Sequence, residues 1–496
     1  MEEKNRFSSL LEQLMSVAEL KNYTLAQELQ YDVSYISKWV SGRMIPAEKT
    51  EKKVLQGISR CIVTATDVEG QEKLLHDYHV DNLQELEMAI YDNLEAEYNY
   101  VKDLQKNTGT TVSPKTFYYI ELTLPQFISK MRHPVLRRVK SLDIMAAMDL
   151  MAMNHEYRLQ IVSIENGHLS DQRMYPDVHF SLLMNLEFSE WDYVYDTIFL
   201  INMLTNFTHI DFQLYGGKQA CGRSIFTVKD DFAISGMLMG HNRCVSVAVS
   251  EDADNCNVLY YGVKAFCSRE QLLFRKTTMR EMLIKYDYVH TLLSPNPRWL
   301  VGHMTEHFLP DDLFEEILEQ LADSDESLKD TVFTMEDLRS VHCLNRNILE
   351  ESKVRVMIYE SAFSSLAVSD ELDFYNYKVH LSVNQRLRYM EHLLDLCMNQ
   401  ENLEVKLVYG RFVSDFQYIA DQCVFLSDVI SYLRLDNSSD RNNLVIINRA
   451  DMQNVFDQFY EEIWNKCEDV VVSDKAAVDT YIRHVMQGIR LISRME

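Results

Sequence analysis

The chain has 496 residues, 47% of them hydrophobic, and a formal net charge of −26. That apolar content, with only 14 glycines and 8 prolines, implies a large buried core and excludes long disorder. Nine cysteines stand singly with no C-x-x-C pair, which excludes a disulfide scaffold and reads as reduced thiols.

The opening Met1-Glu2-Glu3-Lys4-Asn5 has no apolar signal core, and no apolar run nears the ~20 residues of a membrane helix. A cytoplasmic protein with no membrane partner is the expectation. From Phe7 to Ser59, Leu10, Leu11, Leu14, Val17 and Ala18 recur at helical spacing, so packed short helices are predicted. Charges within residues 1–60 roughly balance, and the acidic excess lies beyond them. A second helical region from Gly70 to Lys106 carries Leu74, Leu83, Leu86, Ile90, Leu94 and Val101. The segment from Asn107 to Pro114 is small, polar and turn-forming, and reads as a linker. Beyond it, short apolar runs at Leu159–Ile164, Val245–Val249, Val354–Tyr359, Val405–Tyr409 and Leu444–Ile447 read as strands between helices, an α/β texture. Element order repeats. A helix near Trp191–Leu204, a strand ending at Gly216, the run Val258–Tyr261 and a helix from Arg269 form one set. A helix near Asn384–Cys397, a strand ending at Gly410, the run Leu444–Ile447 and a helix from Asp451 form the other, with Pro295–Glu326 joining them.

The most informative segment is Leu25-Ala26-Gln27-Glu28-Leu29, then Gln30-Tyr31-Asp32, then Val33 to Val40, then Ser41-Gly42-Arg43-Met44-Ile45-Pro46. Thr24 is placed to cap a first helix and Asp32 a second. Ile36 anchors the second helix, Gly42 ends it, and Pro46 is placed to open the next helix, Ala47–Ser59. The pattern L-A-x-x-L, a three-residue turn, then x-x-x-I-S-K-W-x-S-G-R-x-x-P resembles the lambda-repressor/Cro (Xre) family over residues 7–60. Gln30 stands where many members have glycine, and Val40 where an acid is common. The resemblance implies a helix-turn-helix whose second helix enters the major groove of double-stranded DNA. Val33, Ser34 and Lys38 would then face base edges, Tyr35 and Ser37 the flanking backbone, and Arg43 a phosphate. It also implies a homodimeric transcriptional regulator, not an enzyme, without cofactor. The acidic body would serve dimerisation and the sensing of an unidentified small-molecule or protein signal.

The fold class expected is therefore an all-α helix-turn-helix N-terminal domain, a helical connector and a large α/β domain made of two similar units. Their bounds are 1–62, 63–113 (connector and linker), 114–300 and 301–496, the last with the helical joiner. Two other functions were weighed. One is a helix-turn-helix protein-interaction adaptor that does not bind DNA. The other is a zinc-dependent hydrolase, because His303-Met-Thr-Glu306-His307 matches H-x-x-E-H, which on a helix aligns two imidazoles beside a glutamate. No downstream third ligand stands out, so no metal site is expected. P-loop, G-x-G-x-x-G and G-x-S-x-G motifs are absent. The two-unit layout loosely resembles the phospholipase D superfamily, but the H-x-K-x-x-x-x-D signature of that superfamily is missing, which implies a binding relic.

Overall fold

The protein is described from a computed structural model. It covers residues 5–78, 82–107, 116–137, 141–162, 178–186, 191–206, 210–324, 335–413, 422–435, 444–447, 449–466 and 469–492. The proposed linker, from residue 108 on, and Cys467 lie outside them.

Six helices open the chain: α1 (Arg6–Val17), α2 (Asn22–Leu29), α3 (Val33–Val40), α4 (Glu51–Ala65), α5 (Val68–Tyr78) and α6 (Leu83–Asn107). Leu10, Leu11, Leu14, Leu25, Ile36, Leu55, Ile58, Leu86, Ile90 and Leu94 are all buried, which is the helical spacing of the sequence turned inward. Asp32 caps α3 by accepting the Ser34 N–H at 2.8 Å. Gln30, at φ 57°, ends α2 in the left-handed region, and Gly42, at φ 79°, follows α3 in the same way. Thr24 lies inside α2, whose cap position is Lys21, and α4 begins five residues after Pro46. Both corrections have one cause: a single residue's capping preference is a weak guide to a boundary.

Next come β1 (Thr116–Thr123), α7 (Leu124–Met131), β2 (Leu142–Met148), α8 (His155–Val162), β3 (Val178–Met184) and α9 (Tyr193–Asn206). They are followed by β4 (Asp211–Gly216), β5 (Arg223–Val228), β6 (Phe232–Met239), β7 (Arg243–Ser250) and α10 (Ala253–Cys267). Then run β8 (Phe274–Thr277), α11 (Met279–Ile284), α12 (Asp287–Leu293), β9 (Arg298–Val301), α13 (Asp311–Ser324) and α14 (Met335–Glu351). After these are β10 (Val354–Tyr359), α15 (Glu360–Ser369), β11 (Glu371–Phe374), β12 (Tyr377–His380), α16 (Val383–Asn399) and β13 (Leu403–Val408). Last are β14 (Cys423–Leu426), β15 (Ser431–Arg434), β16 (Leu444–Ile447), α17 (Ala450–Lys466), β17 (Val471–Val472) and α18 (Lys475–Ile492).

The chain divides into two units. Unit 1 is Met1–Phe188 with His209–Gln271, and unit 2 is Ser189–Thr208 with Leu272–Glu496. Unit 1 holds the N-terminal helices and a seven-stranded sheet in the order β1-β7-β6-β5-β2-β3-β4. Unit 2 holds an eight-stranded sheet in the order β17-β13-β10-β9-β14-β15-β16-β8. Read from β8, that second order repeats the first, strand for strand, with β17 added at the far edge. In each sheet three strands are parallel (β2, β3, β4; β9, β10, β13) and the remaining neighbours antiparallel.

The expected fold class is corrected accordingly. The chain is mixed α/β, dominated by two large multi-stranded sheets, and is not defined by an all-α helix-turn-helix head. The error came from antiparallel strands such as β1, β5 and β6, whose polar or mixed residues hide the apolar run used to find strands. Two further assignments fail in the opposite direction. Leu159–Val162 ends the helix α8, and Val258–Tyr261 lies within α10. A four-residue apolar run cannot by itself separate a strand from one helical turn.

Candidate functional site

In open α/β sheets, polar side chains converge at the carboxyl ends of parallel strands, where the strand order reverses. In unit 2 the chain lays down β9, β10 and β13 outward in one direction. It then returns to place β14 on the opposite flank of β9. The reversal therefore falls between β9 and β14, where His303 follows one strand and Cys423 opens the other.

Three separate segments bring charge to this point. The first is the chain leaving β9, which passes from His303 into a 3-10 turn at Glu306–Phe308. The second is the β11–β12 hairpin. Its two-residue turn has Tyr375 at φ 49° and Asn376 at φ 67°, the left-handed pair that tight hairpins require. Asp373, on that hairpin, is tied back through its N–H to the Met304 carbonyl at 3.0 Å. The third is β15, which supplies Arg434, a charged residue between the buried Leu433 and Leu435.

Asp373 Oδ2 is shared. It accepts from His303 Nε2 at 3.0 Å and from Arg434 Nη1 at 3.2 Å, while Oδ1 accepts the Asn376 N–H at 2.7 Å. Arg434 also grips Glu306 with both nitrogens of its fork, Nη1 donating to Oε2 at 2.9 Å and Nη2 to Oε1. Glu306 accepts in addition from the Tyr288 hydroxyl at 2.6 Å and the Tyr375 N–H at 3.2 Å. His307 Nε2 lies 3.0 Å from the Tyr288 oxygen and Nδ1 lies 2.9 Å from Thr305 Oγ1. The Tyr288 proton goes to Glu306, so His307 donates from Nε2 and accepts from Thr305 at Nδ1, as a neutral ring.

Charges in this buried cluster balance. Burial would raise the Asp373 carboxyl, but Arg434 and then His303 hold it down to about 2. Glu306 is likewise lowered against its burial, by Arg434. Burial disfavours a charged His303 ring, yet the Cys423 sulfur and the Asp373 carboxylate outweigh it and hold the ring well above the ordinary imidazole range. Burial pushes His307 down to about 4, which agrees with its neutral hydrogen-bond pattern. At neutral pH the set is thus two cations, Arg434 and His303, against two carboxylates.

His303 is the outer member, its side chain 17% exposed where Asp373 is at 2%. Its ring stands against Cys423, whose sulfur is 3.6 Å from Nδ1 and 3.8 Å from Nε2. The sulfur is nearly equidistant from the two nitrogens, so it lies toward the carbon between them, out of line with either N–H. It has other engagements too, accepting the Gly302 N–H at 3.3 Å and donating toward the His303 carbonyl at 3.6 Å. Cys423 is buried, and its sulfur packs against the imidazole. The corresponding point of unit 1, after β2, holds Asp149, which accepts the Gly222 N–H at 2.6 Å and Asn185 Nδ2 at 3.3 Å.

The H-x-x-E-H reading is corrected by this geometry. His303, Glu306 and His307 do not share an α-helix, and each is engaged by protein groups: His303 by Asp373, Glu306 by Arg434 and Tyr288, and His307 by Tyr288 and Thr305. Among the described residues no group of His, Cys, Asp or Glu could hold a metal ion. No helix of the described residues is long and apolar enough to cross a membrane. On α3, Val33, Ser34, Tyr35, Ser37 and Lys38 are exposed, as is Arg43 after it, while Ile36 and Trp39 are buried. Lys38 lies over the Tyr35 ring, 5.7 Å from its centroid. The sequence reading missed Asp373 and Arg434. Arg434 carries a signal, as a cation inside the apolar strand Ser431–Leu435, whereas Asp373 carries none.

No family model matches the chain, and no curated protein matches it. Among solved structures it is similar to the crystal structure of a phosphatidylserine synthase from Haemophilus influenzae Rd KW20. The identity is 10%, over 80% of this chain and 97% of that one, with a TM-score of 0.24. So low a score gives this chain neither that fold nor that activity. These findings correct the expected lambda-repressor/Cro membership and the sequence-specific transcriptional regulator drawn from it. No family model, a DNA-binding one included, answers to residues 7–60. A physical reason points the same way: α3 offers one cation, Lys38, and the following turn one more, Arg43, in a chain of net charge −26, whereas duplex binding is driven by cations on phosphates. The partners expected of such a regulator, namely double-stranded DNA, a second copy and a signal, find no support in any comparison. The chain belongs to no family these comparisons show, and it is best described by its own two sheets and the charged centre of the second.

Proposed function

We propose that unit 2 carries a proton-transfer centre of an enzyme, with His303 as the group that gives the proton. One observation supports this above the others. A partly exposed imidazole sits where the strand order reverses, with one ring nitrogen held by a carboxylate that is itself locked from behind. A ring held in its charged form is an acid at neutral pH, not a base. Asp373 orients the ring and stabilises its charge, and Arg434 keeps Asp373 ionised. The fitting reaction class is cleavage of a polar ester-type bond, in which a leaving oxygen needs a proton as the bond breaks. The test is hydrolysis of carboxylic esters and phosphodiesters, with water as the attacking group, by the full chain and by His303→Gln. Loss of a general acid costs on the order of 10²–10⁴-fold. Turnover that survives His303→Gln undiminished would contradict the reading.

A further inference from the structure

We propose that Arg434 is the positioning residue of this centre: its shared grip on Glu306 and Asp373 fixes the carboxylate oxygen that orients His303. This rests on the reading of His303 as the proton donor only for its use in a reaction; the coupling itself is readable without substrate. The two carboxylates divide the work of holding Arg434 and His303. Glu306 takes both nitrogens of the Arg434 fork and leaves that side chain no freedom to turn. Only then can Nη1 reach a second carboxylate, at 3.2 Å, and it reaches the same Asp373 oxygen that faces His303 Nε2 at 3.0 Å. The other Asp373 oxygen is pinned by the Asn376 N–H at 2.7 Å. Asp373 therefore has no rotation left, and its Oδ2 is aimed between guanidinium and imidazole. A lysine at this position would carry the same charge, but it has no planar fork and could not hold both carboxylates in fixed geometry. Arg434 itself is 1% exposed and its two carboxylate partners are 2% exposed, so it acts on His303 from behind, through the carboxylate that faces the ring.

The groups facing His303 and its partner come from every element packed there. Glu306 and His307 lie on the segment after β9, Tyr288 on α12, Tyr375 in the β11–β12 turn, Tyr389 on α16, Cys423 on β14 and Tyr432 beside Arg434 on β15. The four tyrosines are all pushed up by burial and remain neutral, and His307 is pushed down by it. A change in His303 titration on altering Arg434 therefore reports on Asp373, Glu306 and the Cys423 sulfur, and the Asp373→Asn background separates the carboxylate's part from the sulfur's.

The experiment reads the His303 ring by histidine-selective carbon-13 labelling of the full chain, with the signal assigned by its loss in His303→Gln. In Arg434→Lys the His303 midpoint should fall by roughly one unit, because an opposite charge within 4–6 Å is worth about one to three units and here loses its aim. In an Asp373→Asn background the same Arg434→Lys change should move the midpoint no further. A midpoint unchanged by Arg434→Lys overturns the proposal, as does an equal shift with and without Asp373. If Arg434→Lys does not fold by circular dichroism, Glu306→Gln is read in its place. It frees the fork and should also lower the midpoint, and an unchanged value again overturns the proposal. A midpoint that moves as expected while turnover survives His303→Gln keeps this coupling and retires the proton-donor reading.

Discussion

Asp373→Asn is the sharpest perturbation of the charged centre. The change keeps the shape of the side chain and its acceptor for the Asn376 N–H, but removes the charge that faces both Arg434 and His303. Breaking a buried ion pair by removing one partner costs about 3–5 kcal/mol, because the other charge is left uncompensated. Arg434 keeps Glu306, so the uncompensated charge is that of His303, and the lower end of that range, about 3 kcal/mol, applies. The pH dependence fixes the sign. The folded His303 value is raised above the unfolded one of about 6.5, so its contribution is full below that pH and is lost as pH rises through the folded value. The folded Asp373 value, about 2, lies below the unfolded one, so its contribution is present above about 3.9 and is lost as pH falls toward 2. The cost of Asp373→Asn should thus be largest near pH 6 and smaller toward pH 10 and below pH 3. Native-state hydrogen exchange on peptides covering β9 and β15 measures it locally, without assuming that both units unfold together. A cost under about 1 kcal/mol at pH 6, or one equal at pH 6 and pH 10, would refute the reasoning.

Other outcomes follow from the same geometry. Ile36→Ala, at a fully buried site on α3, should destabilise the N-terminal helices by about 2–5 kcal/mol, read as lost exchange protection in α1–α4. Asp32→Ala removes the acceptor for the Ser34 N–H and should cost about 1 kcal/mol in the same assay, with Asp32→Asn close to neutral. Gly42→Ala puts a Cβ on a residue at φ 79° and should cost about 1–2 kcal/mol. Dialysis against a chelator should leave folding and the His303 titration unchanged, since His303, Glu306 and His307 each have protein partners; a stoichiometric metal whose removal shifts that titration would contradict the assignment of those partners.

The strands most legible in the sequence were those buried on both faces. Val354–Tyr359 and Leu444–Ile447 are runs rich in β-branched residues, each with a neighbouring strand on both sides in the second sheet, and their composition alone marks them. The helical periods of α1 and α6 were equally clear, because one face packs and the other is wet. What escaped was set by distance along the chain. The turn that points Asp373 at His303 lies 70 residues away from it, and Arg434 reaches Glu306 across 128. No local pattern encodes such pairings. The H-x-x-E-H spacing drew attention to the right residues for the wrong chemistry, because it presupposes a helix where the chain in fact leaves a strand through a 3-10 turn. A lone arginine in an apolar strand was the one available signal, since a buried cation requires buried carboxylates.

The account turns on the state of a single ring, and histidine-selective NMR of the intact chain reads it directly. His303 should be doubly protonated at pH 7, with a midpoint well above the ordinary imidazole range that drops in Asp373→Asn. A His303 that is neutral at pH 7, with the same midpoint in the parent and in Asp373→Asn, would contradict it.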